Sequence, residues 1–409
     1  VLVMSEKTAA TIELEFSGGE RLRNLISFSL QQDFTAPLDP LTFSYAERGK
    51  EKSLRAMFQP GELCNCRINN SLQATNIITD VIETGGRDGV VFNVTAESLL
   101  TIPMESDVDP KLSKEFKQDT KISEVVTEVL RPYGIFPFGA EVFVDSKEDV
   151  AARAGRAIPG GSNNATLEPL KEKAMQTKDG QKSYPFLSAL VSRHGVQLRC
   201  AGDGRLLLVR PNYDSATAYN LIQGNAPIGG TRVLAAPGPS IRNTNKGQFS
   251  HYLLRGKVRD IKKKTRVTEP YSFLEVPGAS LPDTAPFQNF KRQTLQATRA
   301  NYRPGVAPYK PKFWRDDEAS SQVRCDAKAR LMHGSRAANG FVVNVAVDGI
   351  ISETGRLWTF DTIARVFLGD HDINEDMWIK STTKSESKSS GQMTRITLIP
   401  KNSLVIGAG

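Results

Sequence analysis

The residues of this chain whose types could carry chemistry are four cysteines, four histidines and several close carboxylate pairs. Cys64 and Cys66 form a Cys-x-Cys pair in a polar, strand-like stretch from Leu63 to Asn69, while Cys200 and Cys325 stand alone. A structural zinc site wants about four ligands at short spacings. His194, His251, His333 and His371 are scattered and supply none near the pair. The spacing predicts reduced thiols and no metal site. Gly369-Asp370-His371-Asp372 resembles a metal loop, but Ile373-Asn374-Glu375-Asp376 lacks the glycine and spaced glutamate of a calcium hand. It reads as a solvent-facing acidic turn between strands. Asp107/Asp109 and Glu13/Glu15 have the makings of a glycosidase dyad, yet such pairs are common in a chain with 45 acidic residues. His194, between Arg193 and Gly195, falls where a helix should end. A cation there meets the last carbonyls, which is a structural role. The chain has no Gly-x-Ser-x-Gly elbow, no Walker-type phosphate loop and no His-Glu-x-x-His helix. No catalytic, cofactor-binding or metal-ligating residue is therefore assigned, no cofactor is expected, and a non-enzyme is.

Net charge is +8 over 409 residues. That sign permits a polyanionic partner, but the excess is small for the length. Lys262-Lys263-Lys264-x-Arg266 is the one dense basic run, and such a run usually marks a solvated loop. Basic strands interleaved with aromatics are missing, which argues against a nucleic-acid binder. With 39% hydrophobic and 24% charged residues the composition is that of a soluble globular protein. No apolar run reaches the ~18 residues of a membrane span, and Val1-Leu2-Val3-Met4 is too short for a signal peptide's apolar core. Assembly in a cytoplasm is expected. The length predicts two to four domains.

The elements that must position these residues are mostly strands. Thr11–Phe16 alternates strictly and stops at Ser17-Gly18-Gly19, and Ile26–Leu30 alternates again. Ile77–Ile82 and Val90–Ala96 flank Gly85-Gly86-Arg87-Asp88-Gly89, a hairpin signature. A barrel-like β domain is expected over 8–100. The period then changes. Ile122, Val125, Val126, Val129 and Leu130 share one helical face, capped by Asp119 or Thr120 and ended by Pro132 and Gly134. Ile135–Phe138 could follow as a buried strand. Phe186, Leu187, Leu190 and Val191 form a second helical face, followed by strands Val196–Cys200 and Arg205–Val209 around Gly202-Asp203-Gly204. An α+β domain is expected over 101–215.

Residues 216–247 read as a linker rich in glycine, proline and asparagine. A second barrel-like β domain is expected over 248–400. It starts with a strand pair, Phe249–Arg255 and Gly256–Ile261. Its 264–311 segment holds Pro270, Pro277, Pro282, Pro286, Pro304 and Pro308 and reads as irregular. Residues 317–333 read as a helix with Asp316, Asp317 and Glu318 at its start, Val323, Ala327 and Leu331 along one face, and Gly334 beyond its end. Phe341, Val343, Val345 and Val347 alternate, and strands Leu357–Val366, Met377–Thr383 and Met393–Ile399 follow. The fold class is thus α+β and β-rich: two barrel-like β domains with an inserted α+β domain.

The order of these pieces resembles the baseplate hub proteins of contractile phage tails, related to the late control D family and to the N-terminal part of type VI VgrG spikes. The resemblance is carried by Ile26–Phe34, Val90–Leu100, Phe186–Pro211 with Arg193-His194-Gly195-Val196 and Gly202–Leu206, Gln248–Gly256, Leu357-Trp358, Asp376–Ile379 and Gly391–Leu398. It spans nearly the whole chain through degenerate pieces. The segments 146–182 and 264–311 look longer than a minimal hub requires. A VgrG chain would continue into a β-helical spike, so the resemblance implies a separate spike chain.

The resemblance implies a hub-type homotrimer. Two similar barrels in each of three subunits would offer pseudo-six-fold symmetry to a hexameric tail tube and three-fold symmetry to a trimeric spike. Implied partners are the tail tube proteins, the spike, the tape measure protein and baseplate wedge proteins. The implied location is the virion's tail baseplate, with no membrane insertion by this chain and DNA only in passage through the channel. Closed assembly would also cover sheet edges. The alternatives are the hub of a phage-derived bacteriocin or secretion particle, a tail-associated cell-wall hydrolase, and a nucleic-acid-binding protein.

Overall fold

A computed structural model describes residues 9–86, 89–109, 116, 120–134, 142–144, 180–192, 196–209, 211–213, 215–224, 228–256, 270–276, 279, 291–295, 309–316, 322–401 and 403. The first module follows from period-two alternation. Its strands are β1 (Ile12–Phe16), β2 (Arg21–Leu22), β3 (Ser27–Asp33), β4 (Leu41–Tyr45), β5 (Leu63–Ile68), β6 (Ser71–Gly86) and β7 (Gly89–Ser98), with helix α1 (Glu51–Met57) between β4 and β5. They pair in the order β3-β4-β7-β6-β5-β1-β2. Leu14, Leu30, Leu41, Phe43 and Phe92 point inward onto Phe58, whose ring lies 5.5 to 5.6 Å from those of Phe16, Phe43 and Phe92.

The α+β module contains α2 (Thr101–Glu105), α3 (Ile122–Leu130), β8 (Val142–Val144), α4 (Ser183–Ser192), β9 (Gln197–Cys200) and β10 (Leu206–Val209). All five aliphatics expected on the α3 face are buried. Lys121, not Asp119 or Thr120, is the residue that precedes the helix, and it donates no side-chain cap. Gly134 ends the following turn with φ 63°. The expected strand Ile135–Phe138 and most of 146–182 lie outside the described residues.

The span expected to be a linker, 216–247, instead holds β11 (Thr217–Gln223), β12 (Thr231–Arg232) and β13 (Ser240–Asn243). Its glycines and prolines mark the turns between these short strands. β11 runs parallel to a strand far along the chain, Thr362–Leu368, a pairing that local composition does not disclose. The region expected to open the second barrel is also different. β14 (His251–Gly256), β15 (Tyr271–Glu275), β16 (Gln293–Thr294) and β17 (Pro311–Asp316) form a separate four-stranded sheet, in the order β16-β15-β14-β17. β15 therefore lies inside a sheet within the stretch expected to be irregular. Pro270 and Pro277 flank it, leaving its own ladder donors intact. Helix α5 (Gln322–Ala337) packs on this sheet. It continues through Gly334, and Asp316 belongs to β17, not to a helix start. The side chains of Val323, Ala327 and Leu331 lie outside the described residues, as does the strand expected beyond Gly256.

The second barrel is completed by β18 (Phe341–Asp348), β19 (Thr362–Leu368), β20 (Ile373–Ser387) and β21 (Gly391–Pro400). It pairs in the order β13-β18-β21-β20-β19-β11-β12. A bridge from Val233 to Val347, and Leu234 N–H donating to Ala346 O at 2.8 Å, close β12 onto β18. The chain is thus α+β and β-rich with two barrel-like modules, and it carries an extra four-stranded unit set between the strands of the second barrel.

The α+β module docks on the first barrel through the β9–β10 turn. A Cβ built at Gly202 would lie 2.9 Å from Gln73 O and 3.1 Å from Leu72 O, both backbone atoms that cannot swing aside. Gly202→Val is expected to lower stability by about 1–3 kcal/mol through this overpacking, read as a fall in the urea midpoint at unchanged m-value.

Candidate functional site

The residues singled out in the sequence do not converge. The four cysteines are free and buried. Cys64 and Cys66 face the first barrel's core, and burial pushes the Cys66 and Cys200 thiols up to about 12. No group of three or more potential metal ligands occurs among the described residues. Glu13 and Glu15 lie on the outer face of β1 and are taken up by arginines: Arg21 lies 3.1 Å from each, Arg23 also pairs with Glu13, and Arg67 lies 2.8 Å from Glu15. The hydrogen bond from Arg67 holds the Glu15 carboxyl below its ordinary value. Asp107 pairs with Lys182 at 3.0 Å. The Gly369–Asp372 segment is an exposed turn between β19 and β20. His194 and the run Lys262–Arg266 lie outside the described residues.

One constellation escaped the sequence reading. Ser250 Oγ lies 2.9 Å from His251 Nδ1, and His251 Nε2 lies 3.7 Å from Glu275 Oε1. The types are those of a nucleophile, base and orienting acid. However, Ser250 and His251 are both 0% exposed, and Ser250 Oγ accepts the Lys310 N–H at 2.8 Å. The group ties β14 to the start of β17 and offers no surface to a substrate.

The feature that organises the molecule is the joint between the barrels. β3 pairs antiparallel with the C-terminal half of β20, from Ser27↔Ser387 to Asp33↔Ser381. This single pairing fuses the two barrels into one 14-stranded sheet. On the inner side of the joint Lys384 is 0% exposed, and its Nζ donates to Gln32 Oε1 at 2.7 Å. Arg199, from β9, donates to Asp39 Oδ1 at 2.7 Å and to Asp33 O, and stacks over Phe360 at 4.6 Å. Asn76 donates to Asp39 O at 2.8 Å. Two barrels and the α+β module therefore share one buried polar network. Burial pushes the Asp39 carboxyl up while Arg199 opposes the shift, and burial lowers the Lys384 ammonium to about 8. Beside it Trp378 packs edge-on against Phe34 at 5.1 Å and donates to Asp361 Oδ1 at 3.0 Å.

The opposite side of the joint is a continuous sheet face. Across seven strands the register runs Asp348, Met393, Ser385, Ser29, Thr42, Thr95, Asp80. The adjacent row runs Ser387, Ser27, Ser44, Asn93, Ile82. Ser27 Oγ donates to Ser44 Oγ at 2.9 Å, and Ser44 Oγ to Asn93 Oδ1 at 2.7 Å. Within these rows charge occurs only at the far ends of the first. Alternation in each strand places these residues opposite the core. Their alignment into rows depends on registers that no single strand reveals.

No protein-family model and no curated protein matches the chain. Solved structures do. A tail protein from Neisseria meningitidis MC58 superposes with a TM-score of 0.71 at 13% identity, covering 98% of each chain. The 43 kDa tail protein of prophage MuSo2 from Shewanella oneidensis gives 0.68 at 15% identity, over 96% of this chain and 99% of that one. An Escherichia coli component of the type VI secretion system, described as similar to T4 bacteriophage tail proteins gp27 and gp5, gives 0.50 at 12% identity, over 97% and 79%. The chain has the fold of these phage tail proteins. At the level of the fold, the resemblance drawn from the order of sequence pieces holds.

Removing one member of the buried network leaves the others uncompensated. Asp39→Ala is expected to cost about 3–5 kcal/mol in urea unfolding, and Lys384→Met distinctly less, because it removes a buried charge instead of stranding one. His333, buried edge-on to Tyr252 at 5.2 Å, supplies a pH dependence. Burial lowers its pKa from 6.5 to about 4. The unfolded chain takes up this proton near pH 6.5 and the folded one only near 4. The stabilisation is therefore full above 6.5 and is lost as pH falls toward 4, by about 3 kcal/mol. His333→Leu should flatten that part of the stability profile.

Proposed function

We propose that this chain is a structural, non-enzymatic hub of a tail baseplate, working as a homotrimer that joins a hexameric tail tube to a separate trimeric spike. The observation that carries the reading is the pair of rows, mostly serine, threonine and asparagine, that runs across both barrels on one face of the joined sheet. Three copies, with two barrels each, would place six such barrels around an axis. We assign the hydroxyl-lined face to the lumen of that ring. DNA carries a charge about every 1.7 Å of its axis, so a cationic wall would retain it and an acidic wall would repel it. The serine, threonine and asparagine positions that fill the middle of these rows do neither.

Tail tube, tape measure and baseplate wedge proteins are the further partners in this reading, and the particle's baseplate is its location. The likeness to a type VI secretion component favours one second reading, the hub of a phage-derived bacteriocin or secretion particle. The two readings share the ring and differ in what passes through it.

The purified protein is expected to have the mass of three protomers and to form three-fold rings with a central channel in electron micrographs. A cysteine at Thr42 should react in the assembled ring with a small maleimide and be shielded from one carried on a bulky polymer. A monomer at tens of micromolar that stays monomeric with the spike added would overturn the reading.

A further inference from the structure

Three cations converge on one aromatic ring in the inserted four-stranded unit. Lys310 Nζ lies 5.3 Å, Lys312 Nζ 5.7 Å and Arg336 Cζ 5.0 Å from the centre of Phe249. The ring's electron-rich face attracts cations, but it does not neutralise them. Lys310 donates to Asn245 O and Arg336 to Gly247 O, and none of the three makes an ion pair among the described residues. Elsewhere in the chain clustered arginines are matched by carboxylates, as Arg21, Arg23 and Arg67 are by Glu13 and Glu15. All three cations lie within 6 Å of one centroid, so the cluster is compact. Such a cluster suits a short acidic determinant of a protein better than an extended nucleic-acid backbone.

This chain carries a determinant of that kind. The β19–β20 turn exposes Asp370 and Asp372, and Asp370 makes no ion pair among the described residues. The sheet register places both features at one end of the second barrel. Asn243 pairs with Phe341, Val343 with Leu398, Ile379 with Leu398 and Ala364 with Met377. Thr244 N–H donates to Gly340 O at 2.8 Å and Arg336 to Gly247 O, which keeps the cluster beside the end of β13, and the chain beyond Ala364 runs to the acidic turn at that same end. Between β13 and β20 lie β18 and β21, so the two features sit on different flanks. Complementary patches on different flanks at one level are what a head-to-tail contact needs to close into a ring instead of a filament.

We propose that the cluster of Lys310, Lys312 and Arg336 is the socket for the acidic turn of a second copy, Asp370 of the partner subunit being its principal anion. The inference rests on the ring reading above and adds which surfaces form the joint. Its test uses the full chain. Lys312→Glu and Asp370→Lys should each weaken ring assembly, measured by sedimentation at low salt, by about tenfold or more in the assembly constant. Combined in one chain, the two reversals should assemble measurably better than Asp370→Lys alone, since the carboxylate introduced at position 312 attracts the new cation and offsets the two cations that remain in the socket. Misfolding of a single variant cannot imitate that recovery.

Wild-type assembly should weaken with added salt over the range in which the Debye length shrinks to about 3 Å. If the wild type forms rings and both single reversals assemble as well as it does, the socket assignment fails and the hub reading stands. If the wild type never assembles, both fail. If Lys312→Glu abolishes retention of a double-stranded DNA fragment while leaving assembly untouched, the cluster serves nucleic acid and the proposal is overturned.

Discussion

A lysine ammonium without access to water is the constraint around which this molecule is arranged. Lys384 sits on the core side of the pairing between β3 and β20, with Gln32 as its hydrogen-bond acceptor. An isolated buried charge would cost several kcal/mol. Its surroundings can hold it because Asp39, pinned by Arg199 and Asn76, lies near enough to raise the affinity of Lys384 for its proton. Each partner comes from a different part of the chain: Gln32, Asp39 and Asn76 from the first barrel, Arg199 from the α+β module, and Lys384 from the second barrel. Its hydrogen bonds all form only when the three modules are docked. It therefore works as a registration device: a slip of β3 against β20 by one residue would turn Lys384 outward and the hydroxyl face inward.

The same pairing accounts for the two unlike sides of the joined sheet. Period-two geometry sends Phe28 and Leu30 to the core and Ser27 and Ser29 to the outer face. Thr42 and Ser44 oppose Leu41 and Phe43 in the same way on β4. Hydrogen bonds from Ser27 to Ser44 and from Ser44 to Asn93 then tie three neighbouring strands together along one of the outer rows. A smooth polar wall needs only small residues at alternate positions in several strands whose registers agree.

Much of this was legible before the structure. Strong local period made α3 and the β6–β7 hairpin readable, because five aliphatics at helical spacing and a glycine turn between alternating runs have few other solutions. What local pattern could not show was pairing at a distance. β11, in the segment that reads as a linker, is held by β19, and β15 was hidden behind the prolines that bound it. The buried network was harder still. Lys384 lies one residue past the strand expected over Met377–Thr383, and Gln32 and Lys384 are 352 positions apart. Nor did composition separate the ion-paired Glu13 and Glu15 from a catalytic pair; only the arginines opposite them do.

The branching of β20 bears on how the chain would carry load. Its 15 residues are zipped to β21 along most of one edge, while the other edge is divided between β19 and β3. A pull along the strand axis that tries to separate the barrels must break the seven residue pairs with β3 together, as a shear, instead of peeling them one at a time. Shearing is the mechanically stiff mode of a β-ladder. The two barrels should therefore transmit a load along this strand axis as one body.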